Sequence, residues 1–251
     1  MMPPKPVGQA PSPANLDIEF LRHAHPRRSI DYHLTTDSTM RLAAGRSLGT
    51  IVIADEQSAG QGRHGHSWHS ERGSGIYFSV VLRPAPLLTL ALGLATAEAI
   101  AAVTGIACDL RWPNDVMVGG RKAAGILVQM VEGAAIGGIG INVNHTAFPV
   151  DLADQAISLR MQAGREFSRF EILSALIPAI ESFAEMDRET TLRLFQQASS
   201  YACGRRVTVE QPEGSVVGVT AGLTEDGYLV VRGDDGTETL IVAGGVRAAG
   251  A

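Results

Sequence analysis

Four clusters of polar residues in this 251-residue chain carry types and spacings suited to chemistry. The first, residues 57–68, reads Gln-Ser-Ala-Gly-Gln-Gly-Arg-His-Gly-His-Ser-Trp. Gly60, Gly62 and Gly65 let backbone amides approach an anion, Arg63 adds positive charge and Trp68 offers a stacking face. A phosphate-bearing ligand fits such a loop, although an ordinary surface loop has the same composition. It is neither a Walker loop nor a dinucleotide fingerprint, because no Gly-Lys-Ser/Thr follows and no GxGxxG opens a helix after a strand. His64, His66 and His69 have no nearby carboxylate at clear ligand spacing, so no metal centre is expected among them.

The second cluster is Arg111-Trp112-Pro113-Asn114-Asp115, followed after a turn by Arg121-Lys122. Asn114 and Asp115 put an amide and a carboxylate at a strand end, suited to phosphate and Mg²⁺ respectively. The same pair also caps turns. Lys5 and Lys122 are the only lysines among 21 basic residues. A lysine kept where arginine is the habit suggests a need for a compact ammonium, a point charge for a carboxylate or phosphoryl oxygen under reaction. Third, the apolar run around Gly137, Gly138 and Gly140 leads into Asn142 and Asn144, and asparagine can read an adenine edge. Fourth, Asp37-Ser38-Thr39 is a helix-capping signal first and a polar recognition site second.

The elements that must position these groups alternate. Strands are expected over 30–34 and 50–54, with a helix opened by the 37–39 cap between them. A polar, glycine-rich loop spans 55–75, and loops of that length in a compact domain are usually functional or disordered. Beyond it the pattern predicts a strand at 76–82, a buried apolar helix at 87–103 and a short strand ending at Trp112. A hairpin follows around Gly119-Gly120, joining 116–118 to 124–130, then a buried strand at 135–143. Two amphipathic helices fill 167–200 and separate near Asp187. From 205 onward, short strands at 205–210, 216–223, 228–231 and 238–242 read as a small β-barrel. The mixture favours α+β over a doubly wound sheet, in the order tail (1–15), catalytic domain (16–202) and C-terminal β domain (203–251).

Charge narrows the partners. With 21 basic and 26 acidic residues the net charge is −5, and no long basic run attracts nucleic acid or an anionic membrane. Cys108 and Cys203 are too few for a disulfide framework, no apolar signal segment is visible at the proline-rich start, and a cytoplasmic setting is expected.

Taken together, the motifs resemble those of the biotin protein ligases. Asp37-Ser38-Thr39 resembles the family's DSTN motif, residues 57–65 its GRGRxGR loop, and Trp112 to Asp115, Arg121-Lys122 and Gly138 to Asn142 its remaining signatures. The resemblance implies a class II aminoacyl-tRNA-synthetase-like catalytic domain, a mixed sheet with helices, followed by an SH3-like β-barrel. It implies an ATP- and Mg²⁺-dependent enzyme that converts biotin to biotinyl-5′-AMP and passes it to a lysine of a biotin carboxyl carrier protein of acetyl-CoA carboxylase. By position, Ser38, Thr39, Gln57, Gly60, Gln61, Gly62, Arg63 and Lys122 would hold biotin. Arg63, Trp68, Asn114, Asp115, Lys122 and Asn142 would hold the nucleotide, Trp68 on the adenine face and Asn142 on its edge. Lys122, Arg63 and Asp115 would act in catalysis, Asp115 as Mg²⁺ ligand. Met40, Gln61, His64 and His66 depart from the family pattern, and Arg63 is the loop's one arginine. With about 29 residues before the first strand, a DNA-binding helix-turn-helix is not expected, and the resemblance leaves open monomer or homodimer. A lipoate or octanoate ligase or transferase of the same fold, and a non-catalytic biotin-binding regulator, are the competing readings.

Overall fold

Seven strands form one sheet: β1 (Ile30–His33), β2 (Ile51–Ala54), β3 (Gly75–Leu82), β4 (Asp109–Arg111), β5 (Asp115–Val118), β6 (Arg121–Val131) and β7 (Ala134–Asn142). In the computed structural model, which describes residues 16–211 and 214–249, their order is β1-β2-β3-β7-β6-β5-β4. The tail expected at 1–15 lies outside the described residues. β1 and β2 run parallel and the other neighbours antiparallel, so the sheet is mixed but mostly antiparallel, the α+β pattern. The β5–β6 turn falls on Gly119 and Gly120 at φ of 56° and 78°, values that glycine adopts without steric cost.

Alternation along the strands sorts residues onto two faces. Ile51, Ile53, Ile76, Phe78 and Val80 face α3 (Leu88–Thr104) and α5 (Arg169–Ala184) in the main core. Val52, Val81 and Ile136 point the other way, against Met40 and Ala43 of the short helix α2 (Thr39–Ala43). α3 is apolar on nearly all sides because sheet and α5 enclose it, and no described helix is long and apolar enough to cross a membrane. α5 starts on Ser168, whose side chain accepts from Glu171 N. The next helix, α6 (Arg188–Ala198), starts on Asp187, which accepts from Thr190 N; hence the break at Asp187.

Beyond α6, β8 (Cys203–Gln211), β9 (Gly214–Leu223), β10 (Leu229–Arg232), β11 (Glu238–Ile241) and β12 (Gly245–Ala248) form an antiparallel sheet in the order β11-β10-β9-β8-β12. Its Val207, Val209, Leu229 and Val231 continue the main core, and Trp112 Nε1 donates to Gly227 O at 2.8 Å across the junction. Four elements were not expected from the sequence: the helices α1 (Ile18–Ala24) and α4 (Leu159–Ala163), a single 3-10 turn at Arg63–Gly65, and β12. Each is too short for a period to register, and β12 exists by pairing with β8.

Candidate active site

Glycines make the site possible. On β7, Gly138 and Gly140 face the α2 side, and β6 pairs Gly125 opposite Gly140. A Cβ at Gly140 would run into the Trp68 ring, one at Gly125 would lie 2.8 Å from Trp68 Cζ3, and one at Gly138 would lie 2.6 Å from Met40 Sδ. Their missing side chains lower the sheet face into a floor. The loop over 55–75 folds across this floor, closing at its tip with a Gln61–Ser67 bridge and a Gly62 N to His66 O bond of 2.7 Å. His64 and His66 project from the tip into solvent, and His64 takes a left-handed φ of 55°. Expected as an aperiodic stretch, the loop therefore has its own hydrogen-bonded structure.

The cavity between loop and floor is small, about 40 Å³. Its lining gathers Ser38, Thr39, Gln57, Gln61, Gly62, Arg63, Trp68, Asn114 and Lys122 from four separate stretches of chain. Two polar atoms on these residues are buried without a hydrogen-bond partner: Ser38 Oγ and Trp68 Nε1. Ser38 stands at the helix N-cap position yet caps nothing, so the cap reading of the 37–39 cluster gives way to a hydroxyl held free beside the cavity. Orphan polar atoms carry an energetic cost that a ligand can relieve. Gln57 is already occupied: its Oε1 accepts from Thr39 N (2.8 Å) and Thr39 Oγ1 (3.1 Å), and its Nε2 donates to Ser70 Oγ (3.0 Å). It braces the loop's return against α2.

Charge concentrates at one rim. Lys122 Nζ lies 2.5 Å from Asp115 Oδ1 and 5.3 Å from the Trp68 ring centre, and Arg111 Nη2 lies 2.7 Å from Asp115 Oδ2. Burial by itself would raise the Asp115 pKa, but Lys122 and Arg111 together outweigh it and hold the carboxyl below its ordinary range. Arg63 Nη1 donates to Asn114 Oδ1 (3.1 Å) and to Gly244 O of the C-terminal sheet (3.4 Å), so the loop's arginine touches both domains. Burial lowers the Arg63 pKa and the Asp115 charge opposes it.

Three expected site residues sit behind the lining. Gly60 packs under the loop, where a Cβ would meet Trp68 O at 2.7 Å. Asn142, expected at the adenine edge, is buried and donates through Nδ2 to Lys122 O at 3.4 Å. Asp115, expected to ligate Mg²⁺, has both oxygens in ion pairs, and no other carboxylate lines the cavity among the described residues. With both oxygens paired to cations, this donor set does not fit a protein-held Mg²⁺. Trp68 lies on the glycine floor beside Lys122. Tyr77 and Gly125 were not singled out, and Arg111, Gly138 and Gly140, though noted in the sequence, were given no site role; the two glycines spaced two apart on β7 were the readable signal of the floor.

The floor, loop and rim lysine all come from a stretch whose residues 33–145 match the biotin/lipoate A/B protein ligase family. Residues 202–246 match the biotin protein ligase C-terminal domain. The chain belongs to the biotin protein ligase family. It is 33% identical to the biotin–[acetyl-CoA-carboxylase] ligase of Mycobacterium tuberculosis over 237 residues, 87% of this chain and 88% of that protein. It is 32% identical to the bifunctional ligase/repressor BirA of Bacillus spizizenii over 211 residues, 78% of this chain, but spans 65% of that protein's length. Among solved structures, the Aquifex aeolicus biotin protein ligase in complex with biotin and ATP superposes with a TM-score of 0.80 at 30% identity, covering 88% of this chain and 99% of that one.

Proposed function

We propose that the chain is an ATP-dependent biotin–[acetyl-CoA-carboxylase] ligase whose acceptor is a biotin carboxyl carrier protein. The observation that carries this reading is the small glycine-floored cavity in which an unpartnered hydroxyl, Ser38 Oγ, and a rim ammonium, Lys122 Nζ, line the same space. A neutral polar bicycle with a carboxylate tail needs hydrogen-bonding atoms at one end and a cation at the other.

In the first step the biotin carboxylate attacks the α-phosphorus of ATP, the bond to the β-phosphate breaks, and pyrophosphate leaves biotinyl-5′-AMP. Two anions must meet, and a single ammonium between them offsets their repulsion. Asp115 and Arg111 fix where that ammonium stands, and Asn142 holds the backbone carbonyl of its residue. Arg63 supplies the loop's positive charge near the phosphates, with Asn114 orienting it. In the second step the carrier lysine's free amine attacks the acyl carbon, the anhydride C–O bond breaks, and AMP departs. Arg63 and Lys122 are the protein's own cations on the cavity lining, and any Mg²⁺ the reaction needs would have to come bound to the nucleotide.

The test is a mass spectrum of a biotin carboxyl carrier domain after incubation with the chain, biotin and MgATP, with octanoate and lipoate in parallel. Biotin attached to a single lysine supports the reading. Octanoyl or lipoyl transfer without biotinylation replaces it with the lipoate class, and pyrophosphate release in no arm leaves the binding-regulator reading.

A further inference from the structure

Outside the cavity, three metal-ligating side chains from two distant stretches meet beneath the loop. His69 and Glu71 stand on the loop's return and His145 just after β7, and one ligand atom of each lies within 4.8 Å of the others. His145 is buried, His69 half-buried and Glu71 exposed.

His145 is held in the manner of a ligand. Tyr77 Oη donates its one proton to Glu71 O at 2.7 Å, so toward His145 Nε2, 3.4 Å away, it is an acceptor. The ring proton therefore sits on Nε2 and the lone pair on Nδ1, a buried nitrogen without a hydrogen-bond partner. Metal-bound imidazoles have this arrangement, with the second ring N–H donated to an oxygen that fixes the ring's orientation. The backbone beneath is rigid: Ser158 Oγ donates to His145 O at 2.6 Å, and Asn144 exchanges two hydrogen bonds with Phe167. Phe148 stacks on the imidazole with ring centres 5.0 Å apart.

We infer that His69, Glu71 and His145 form a binding site for a divalent transition metal of the zinc class, with a fourth position open to solvent. Two imidazoles and one carboxylate suit Zn²⁺ or Co²⁺, whereas Mg²⁺ and Ca²⁺ take oxygen ligands throughout. Bonds of about 2.1 Å in tetrahedral array put ligand atoms about 3.4 Å apart, so from separations within 4.8 Å the cluster closes by at most roughly 1.4 Å on binding. Glu71 and His69, both open to solvent, take up that movement while His145 stays fixed. Because His69 adjoins Trp68, the ion ties the cavity's covering loop to the end of β7.

Titration of the full chain with Co²⁺, read by visible absorption, tests the site, and Zn²⁺ is followed by thermal shift. The expected result is one equivalent of Co²⁺ with the visible bands of low-coordinate cobalt, and a rise in melting temperature with Zn²⁺. In His69→Ala and Glu71→Gln, both outside the core, Co²⁺ affinity falls at least tenfold. No visible band from the wild-type chain, or a band of unchanged affinity in both variants, overturns the proposal. In the second case the metal sits on other histidines or cysteines of the chain.

Discussion

Replacing Lys122 by arginine tests the proposed chemistry most sharply, because it keeps the charge and changes only its shape. Lys122 runs through a slot one methylene wide: its Cε lies 2.9 Å and its Nζ 3.1 Å from where a Cβ on Gly125 would be, and Trp68 closes the same space. The ammonium meets Asp115 at 2.5 Å. A planar guanidinium, wider than an ammonium and reaching further from the backbone, cannot put one nitrogen at that point without displacing Trp68 or the carboxylate. A shift of about 1 Å in a reacting pair costs roughly 10²-fold in rate, or about 2.7 kcal/mol of barrier. Lys122→Ala removes the charge altogether and loses about 10²- to 10³-fold, as for deletion of one oxyanion donor. Asp115→Asn acts in the same direction through Lys122, so the double variant Lys122→Ala/Asp115→Asn runs no slower than Lys122→Ala alone. Arg111 still pairs with Asp115 in the alanine variant. Its stability loss therefore stays near 1–2 kcal/mol, below the 3–5 of a buried charge stripped of its partner. The assays are biotin-dependent pyrophosphate release and the melting temperature. Lys122→Arg at wild-type speed, or strictly additive losses in the double variant, refutes the reasoning.

Other expectations follow from the same contacts. Gly140→Ala drives a methyl into the Trp68 ring and raises the KM for ATP at least tenfold with little change in melting temperature, since the strand backbone tolerates alanine. Arg169 is fully buried, bonding Asp55 Oδ1 at 2.8 Å and Gly75 O at 3.2 Å at the two ends of the ligand loop, and Arg169→Met destabilises by about 3–5 kcal/mol by urea denaturation. The Asp115 carboxyl has a folded pKa below its unfolded value near 3.8, so its ion pairs stabilise fully above that pH and are lost as pH falls through the lower folded value. The stability gap between wild type and Asp115→Asn is accordingly flat from pH 7 to about 4 and closes only in stronger acid, as read by melting temperature. Trp112→Phe leaves Gly227 O without its donor and costs about 1–3 kcal/mol, seen as an earlier unfolding transition.

The order of strands and helices was legible because period and punctuation are local properties. The buried helix Leu88–Thr104, the Gly119-Gly120 hairpin and the break at Asp187 each depend on residues within a turn or two of one another. So did the motifs: residues 57–68, 111–115 and Lys122 were readable as chemistry from residue type alone. Short elements were not, since β12 has no pattern of its own and is a strand only because β8 offers it an edge. Which partner each side chain takes was likewise decided in three dimensions. Residue type suited Asp115 to Mg²⁺ and Asn142 to adenine; the fold adds that the β5–β6 register, with Met117 opposite Lys122 through a bulge, brings the ammonium onto Asp115, and that Asn142 Nδ2 donates to the Lys122 carbonyl. His69, Glu71 and His145 are separated by more than seventy residues of chain between the loop and the end of β7, a distance that no spacing rule spans. Residue type determines what a group can do; whether its lone pairs and protons are free to do it depends on which neighbours the fold has already paired with them.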